Sequence, residues 1–85
     1  MTVEKLIKIK SILKDGDYLS IKILDDDYGQ TGQVIDGFYN QRKSEKDGLI
    51  IIESKDLDIN ELNKANIHAS AIENIYVYKE KKLYN

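Results

Sequence analysis

Apolar and polar residues alternate most clearly from Tyr18 onward, with Leu19, Ile21 and Ile23 on one side of an extended chain and Ser20 and Lys22 on the other. A period of two with one wet side predicts a β-strand packed on a single face. Asp25-Asp26-Asp27-Tyr28-Gly29 interrupts it, since three adjacent carboxylates repel one another in a ladder and glycine admits a positive φ. Extended structure resumes from Gly32 to Tyr39, where Val34 and Ile35 alternate with Gln33 and Asp36, and Gly37 predicts a bulge or bend. Asp15 to Asn40 thus reads as two strands joined by a glycine-punctuated loop.

The segment before it supports two readings. On a helix, Val3, Leu6, Ile9 and Leu13 share a face, Thr2 is an N-cap and Asp15-Gly16 a stop. On a strand, Ile7, Ile9 and Leu13 oppose Lys8 and Lys10, and Asp15-Gly16 becomes a hairpin turn. The Lys, Glu and Leu content and the misplaced Ile12 favour the helix.

After the polar loop Asn40–Gly48, the run Leu49-Ile50-Ile51-Ile52 predicts a strand covered on both faces at the centre of the core. Asp58 with Glu61 three residues later imitates a capping box, which predicts a short helical turn near residues 58–64. Asn66 to Ala71 reads as a short strand, Ile72-Glu73-Asn74 as a tight turn and Ile75 to Tyr78 as the last strand. Residues 79–85 read as a frayed, charged tail. Five short strands with closely spaced turns and a helix signal at the N-terminus predict a mainly β fold, a small five-stranded barrel, with residues 1–85 as one domain.

Two family resemblances follow from these residues. GDYLSIKIL and then YGQTGQVID, with Gly16, Gly29, Gly32 and Val34 as matching positions, resemble the KOW-type arrangement of SH3-like barrels. A helix before the strands, Gly32-Gln33-Val34-Ile35-Asp36-Gly37-Phe38 and Ala71-Ile72-Glu73-Asn74-Ile75 resemble the Sm-like family, although Tyr39 stands where that family usually carries Asp. The resemblance implies an SH3-like/Sm-like barrel, with RNA or single-stranded DNA as ligand and, for the Sm-like version, a ring oligomer.

Composition narrows the chemistry. The chain has 85 residues, no cysteine and one histidine, so a thiolate nucleophile and a cysteine zinc site are excluded and a general base would rest on His68 alone. No phosphate-cradling glycine loop occurs, and Asp25, Asp26 and Asp27 lack the ligand order of a calcium loop. No enzyme, metal or cofactor is expected. Lysines interrupt the apolar residues between Met1 and Leu13, and no apolar run reaches the roughly 18 residues of a span, so neither a secretion leader nor a membrane segment is expected and the cytoplasm is the expected location. The Ile, Lys, Asn, Asp and Tyr bias fits an AT-rich coding sequence, such as a low-GC bacterium, its phage or a mobile element.

The formal net charge of −2 conceals an uneven distribution. Residues 1–14 carry four lysines against one glutamate and residues 76–85 three lysines against one glutamate, whereas residues 15–75 carry thirteen acids against six bases. Two binding surfaces follow. Asp25, Asp26, Asp27, Asp36, Asp56, Asp58 and Glu61 form an acidic face suited to a larger basic protein. Alternatively, Phe38, Tyr39, Asn40, Arg42, Lys43, Tyr76, Tyr78 and Lys79 supply rings and cations for nucleic acid. The expectation is a non-enzymatic protein-interaction domain, a regulator or inhibitor of a nucleic-acid-handling protein.

Overall fold

The computed structural model describes residues 1–24, 32–54 and 64–85. Of the two readings of the first segment, the helix is the one that forms: α1 spans Val3–Ile12, and the Thr2 hydroxyl accepts a hydrogen bond from the Lys5 N–H at 3.2 Å. Leu6, Ile9 and Leu13 are buried against the sheet, at the three- and four-residue spacing of one helix face. Val3, expected on that face, is exposed at its rim. The chain leaves the helix in extended conformation at Leu13 and turns at Gly16, whose φ of 87° favours glycine.

Among the described residues six strands follow: β1 Tyr18–Ile23, β2 Val34–Tyr39, β3 Leu49–Glu53, β4 Lys64–His68, β5 Ile72–Val77 and β6 Lys82–Tyr84. They form one antiparallel sheet in the order β4-β3-β2-β1-β5-β6. The expected five-stranded barrel is therefore corrected to an open six-stranded sheet. The physical reason lies in residues 79–85, which do not fray. The chain reverses at Tyr78–Lys81, with Lys81 at φ 51°, and Lys82–Tyr84 pairs with Ile75–Val77. β6 thereby occupies the edge of β5 that closure onto β4 would need.

Two further boundaries differ from expectation. Ile72-Glu73-Asn74 is the first half of β5 and not a tight turn, because Ile72 is completely buried and pairs with Ile23. The turn falls instead at Ala69–Ala71, a single 3-10 turn between β4 and β5, which shortens the strand expected over Asn66 to Ala71. Lys64 already belongs to β4, and the rest of the helical turn expected near residues 58–64 lies outside the described residues.

Helix and sheet enclose one aliphatic core of Leu6, Ile9, Leu13, Leu19, Ile21, Ile50, Ile52, Ile67, Ile72, Ile75 and Val77, with Tyr39 and Ala69. Each large side chain fully withdrawn from water contributes roughly 1.5–3 kcal/mol. The Leu49–Ile52 run is buried on both faces as expected at Ile50, Ile51 and Ile52, with Ile50 and Ile52 in the core, and β3 lies second from the sheet edge. Ile51 points away from the core beside the 40–44 turn, where the Ser44 hydroxyl accepts from the Ile51 N–H at 2.8 Å and the Asn40 N–H donates to the Ile51 carbonyl at 3.0 Å. Gly37 pairs regularly with Leu19 and makes no bulge there. It lets β3 approach, since a Cβ at this position would lie 3.0 Å from the Glu53 carbonyl oxygen and 3.2 Å from Ile52 Cβ.

A lysine joins the helix to the loop before β3. The Lys10 ammonium donates to the carbonyls of Ser44, Lys46 and Leu49 at 2.7, 2.7 and 2.8 Å, using all three of its hydrogens. Burial lowers its pKa from the ordinary lysine value, with the Asp47 charge opposing.

Candidate functional site: an aromatic face on the sheet

Strand alternation sends Leu19, Ile21, Ile75 and Val77 into the core and Tyr18, Ser20, Asp36, Phe38, Tyr76 and Tyr78 to the other side of β2, β1 and β5. Register then selects which of these meet. Tyr18 lies opposite Phe38, and Ser20 sits between Asp36 on one neighbour and Tyr76 on the other. The rings form a continuous run, with centroids 5.0 Å apart for Phe38 and Tyr18, 4.9 Å for Tyr18 and Tyr78, and 4.8 Å for Tyr78 and Tyr76. Interplanar angles of 64°, 59° and 83° are the inclined arrangements that aromatic quadrupoles favour. The run packs across strands and still faces outward: Tyr18 is 38% and Tyr78 44% exposed.

A polar group lies within the rings. The Ser20 hydroxyl donates to the Asp36 carboxylate and shares a 2.7 Å hydrogen bond with the Tyr78 hydroxyl. Desolvation, then the Asp36 charge, then Tyr78 raise the Tyr18 hydroxyl above its ordinary pKa.

Three lysines, two beside the face and one at the β5–β6 turn near α1, are engaged by carboxylates. Lys22 meets Glu73 at 3.1 Å, Lys43 meets Glu53 at 3.4 Å, and Lys79 meets Asp17 at 2.7 Å while also donating to the Ile12 carbonyl at 2.9 Å. By contrast, Asp36 has no ion pair among the described residues. The face is therefore aromatic and locally acidic.

Of the residues expected to contact nucleic acid, Phe38, Tyr76 and Tyr78 come together here. Tyr39 faces the opposite way and is buried in the core, where desolvation and the Asp15 charge raise its pKa against a Ser44 hydrogen bond. Asn40 is spent on structure: its side-chain oxygen accepts from the Lys43 N–H at 3.0 Å and its amide donates to Glu53 at 2.9 Å. Arg42 and Lys43 stand exposed on the following turn, and Lys79 ties the β5–β6 turn to α1 and Asp17. Among the acidic candidates, Asp36 lies in the aromatic run, while Asp25, Asp26, Asp27, Asp56, Asp58 and Glu61 lie outside the described residues.

Tyr18 and Ser20 are central to the site and were not singled out by the sequence reading. Their signal was the even-numbered side of β1, whose outward parity could be read; their partners could not. The lysine-bearing ends do adjoin, with Lys5 donating to the Asn85 carbonyl at 2.9 Å, but they gather around α1 and not on the aromatic face. Among the described residues no group of three histidines or carboxylates is placed to hold a metal, and no helix is long and apolar enough to cross a membrane. No protein-family model, curated protein or solved structure matches the chain.

Proposed function

We propose that this chain is a non-enzymatic protein-interaction domain that engages a larger, basic protein through the Phe38–Tyr18–Tyr78–Tyr76 face. The carrying observation is the ring run itself: four aromatics on the solvent side of a sheet whose core is already complete beneath them. Tyrosine supplies large contact area at low entropic cost, which is why it is enriched where proteins bind one another. Asp36, whose carboxylate meets no cation among the described residues, suits this surface to a cationic partner. We place the domain in the cytoplasm, as a regulator or inhibitor of a nucleic-acid-handling protein, and take its helix-first order with β5 returning beside β1 as support for a distant SH3-like/Sm-like kinship.

The second reading is single-stranded nucleic acid stacked on the same rings, favoured by the exposure of Tyr18 and Tyr78. Lysines already held by carboxylates count against it, since phosphate binding draws on free cations.

Affinity capture with the wild type and a Tyr18→Ser/Tyr78→Ser variant, identified by mass spectrometry and repeated with the purified partner, tests the proposal. The expected result is a basic protein retained by the wild type and lost by the variant. An unchanged set of captured proteins would sink the reading, and a gel shift of single-stranded probes at micromolar protein and low salt would replace it with the second.

A further inference from the structure

We propose that Asp36, ringed by Ser20, Tyr18 and Tyr78, receives an arginine side chain of the partner. The inference rests on the protein-interaction reading and names the chemistry of its central contact.

The carboxylate is held in place and meets no cation among the described residues. Ser20 donates to one of its oxygens and is itself positioned by Tyr78, so the acceptor is oriented before any ligand arrives. Lys22, the lysine two residues along on the same side of β1, is turned to Glu73 at 3.1 Å. Among the described residues nothing neutralises Asp36.

Exposed tyrosine rings flank that charge, and their quadrupoles attract cations over their faces. A guanidinium satisfies both features at once, lying flat against a ring while its edge donates paired N–H groups to the carboxylate. An ammonium is a compact, strongly hydrated charge and gains less from the ring. An anionic ligand would be repelled by Asp36. Arginine is therefore the occupant, supplied by the basic partner. The single arginine of this chain, Arg42, is exposed on the 40–43 turn, so a second copy is the competing source that the experiment must separate.

Titration of the full, isotopically labelled chain with acetyl-Gly-Arg-Gly-amide, followed by NMR, tests the site against the lysine and citrulline versions of the same peptide. Saturable shifts centred on Tyr18, Ser20, Asp36 and Tyr78 are expected with the arginine peptide, and none that saturate with citrulline. Asp36→Asn, which keeps an acceptor for Ser20, should weaken binding by at least about tenfold, the loss of a charge-assisted hydrogen bond. Tyr78→Leu should weaken it about two- to fivefold. Equal binding of citrulline, an unaffected Asp36→Asn protein with a native spectrum, or shifts centred elsewhere would overturn the site. So would a dimer seen by light scattering that Arg42→Gln abolishes. The two proposals fail separately: if the captured partner is lost with Tyr18→Ser/Tyr78→Ser but retained by Asp36→Asn, the arginine site falls and the interaction reading stands.

Discussion

The two faces of β1, β2 and β5 are built from alternate residues of the same strands and are chemically unlike. Inward go Leu19, Ile21, Ile75 and Val77, aliphatic and wholly buried; outward go Tyr18, Ser20, Asp36, Phe38, Tyr76 and Tyr78, aromatic or hydrogen-bonding and partly open to water. Burial rewards the first set through apolar area alone, so almost any close-packing aliphatic residues would serve. The second set must satisfy polar groups and remain accessible, and ring-to-ring contacts keep it ordered without closing it off. The difference teaches where this small domain can carry function: on the side whose residues stability does not require.

The largest expected effect sets the faces against each other at two positions of the same strand, β1. Ile21→Ala should lower unfolding free energy by about 2–5 kcal/mol in urea denaturation, and Tyr18→Ala by only about 1 kcal/mol while abolishing partner capture. Equal losses would break the comparison, because the outer rings would then belong to the core.

A smaller effect is expected at Lys10, the polar member of the inward side of α1. Lys10→Met keeps the alkyl stem and removes the donor of three carbonyls, so a loss of about 2 kcal/mol should accompany faster amide exchange over residues 44–49. Exchange rates unchanged there would show that the loop is held without the ammonium.

The smallest effect belongs to Asp17, where the chain enters β1. Burial would raise its pKa, but the Lys14 backbone N–H and the Lys79 ammonium outweigh that and hold it below the ordinary value of 3.8. A depressed folded pKa gives stability that is present above the unfolded pKa and lost as pH falls through the folded one. Asp17→Asn should therefore lower stability near neutrality and flatten the acid limb of a midpoint-against-pH series. A parallel acid limb in the variant would remove Asp17 from that account.

Much of the fold was legible because burial writes itself into period. The alternation from Tyr18 to Ile23 and the apolar run at Leu49–Ile52 both marked real strands, and the Leu6, Ile9 and Leu13 spacing marked the helix. β6 was not legible. Lys79-Glu80-Lys81-Lys82 looks like solvated tail, and Leu83 and Tyr84 become a strand only because β5 offers an unpaired edge. The tight turn read into Ile72-Glu73-Asn74 failed for a related reason: the short polar pair at Glu73-Asn74 resembles a turn, while pairing with β1 makes it strand. Tyr39 lies on the core side because Gly37, expected as a bulge, pairs regularly with Leu19 and leaves the strand parity unbroken, so Phe38 and Tyr39 face opposite ways.

By itself, then, the sequence favoured the helix over a strand, determined the strand periods and left this chain without a thiol, since these depend on residue type and near-neighbour spacing. Tertiary structure decided what those spacings cannot encode. Sheet order opened the expected barrel, strand register brought Tyr18, Phe38, Tyr76 and Tyr78 into one run, and chain reversal carried Lys10 to carbonyls more than thirty residues away. Local pattern fixes which way a side chain points, whereas its neighbours across strands are set by long-range pairing of backbones.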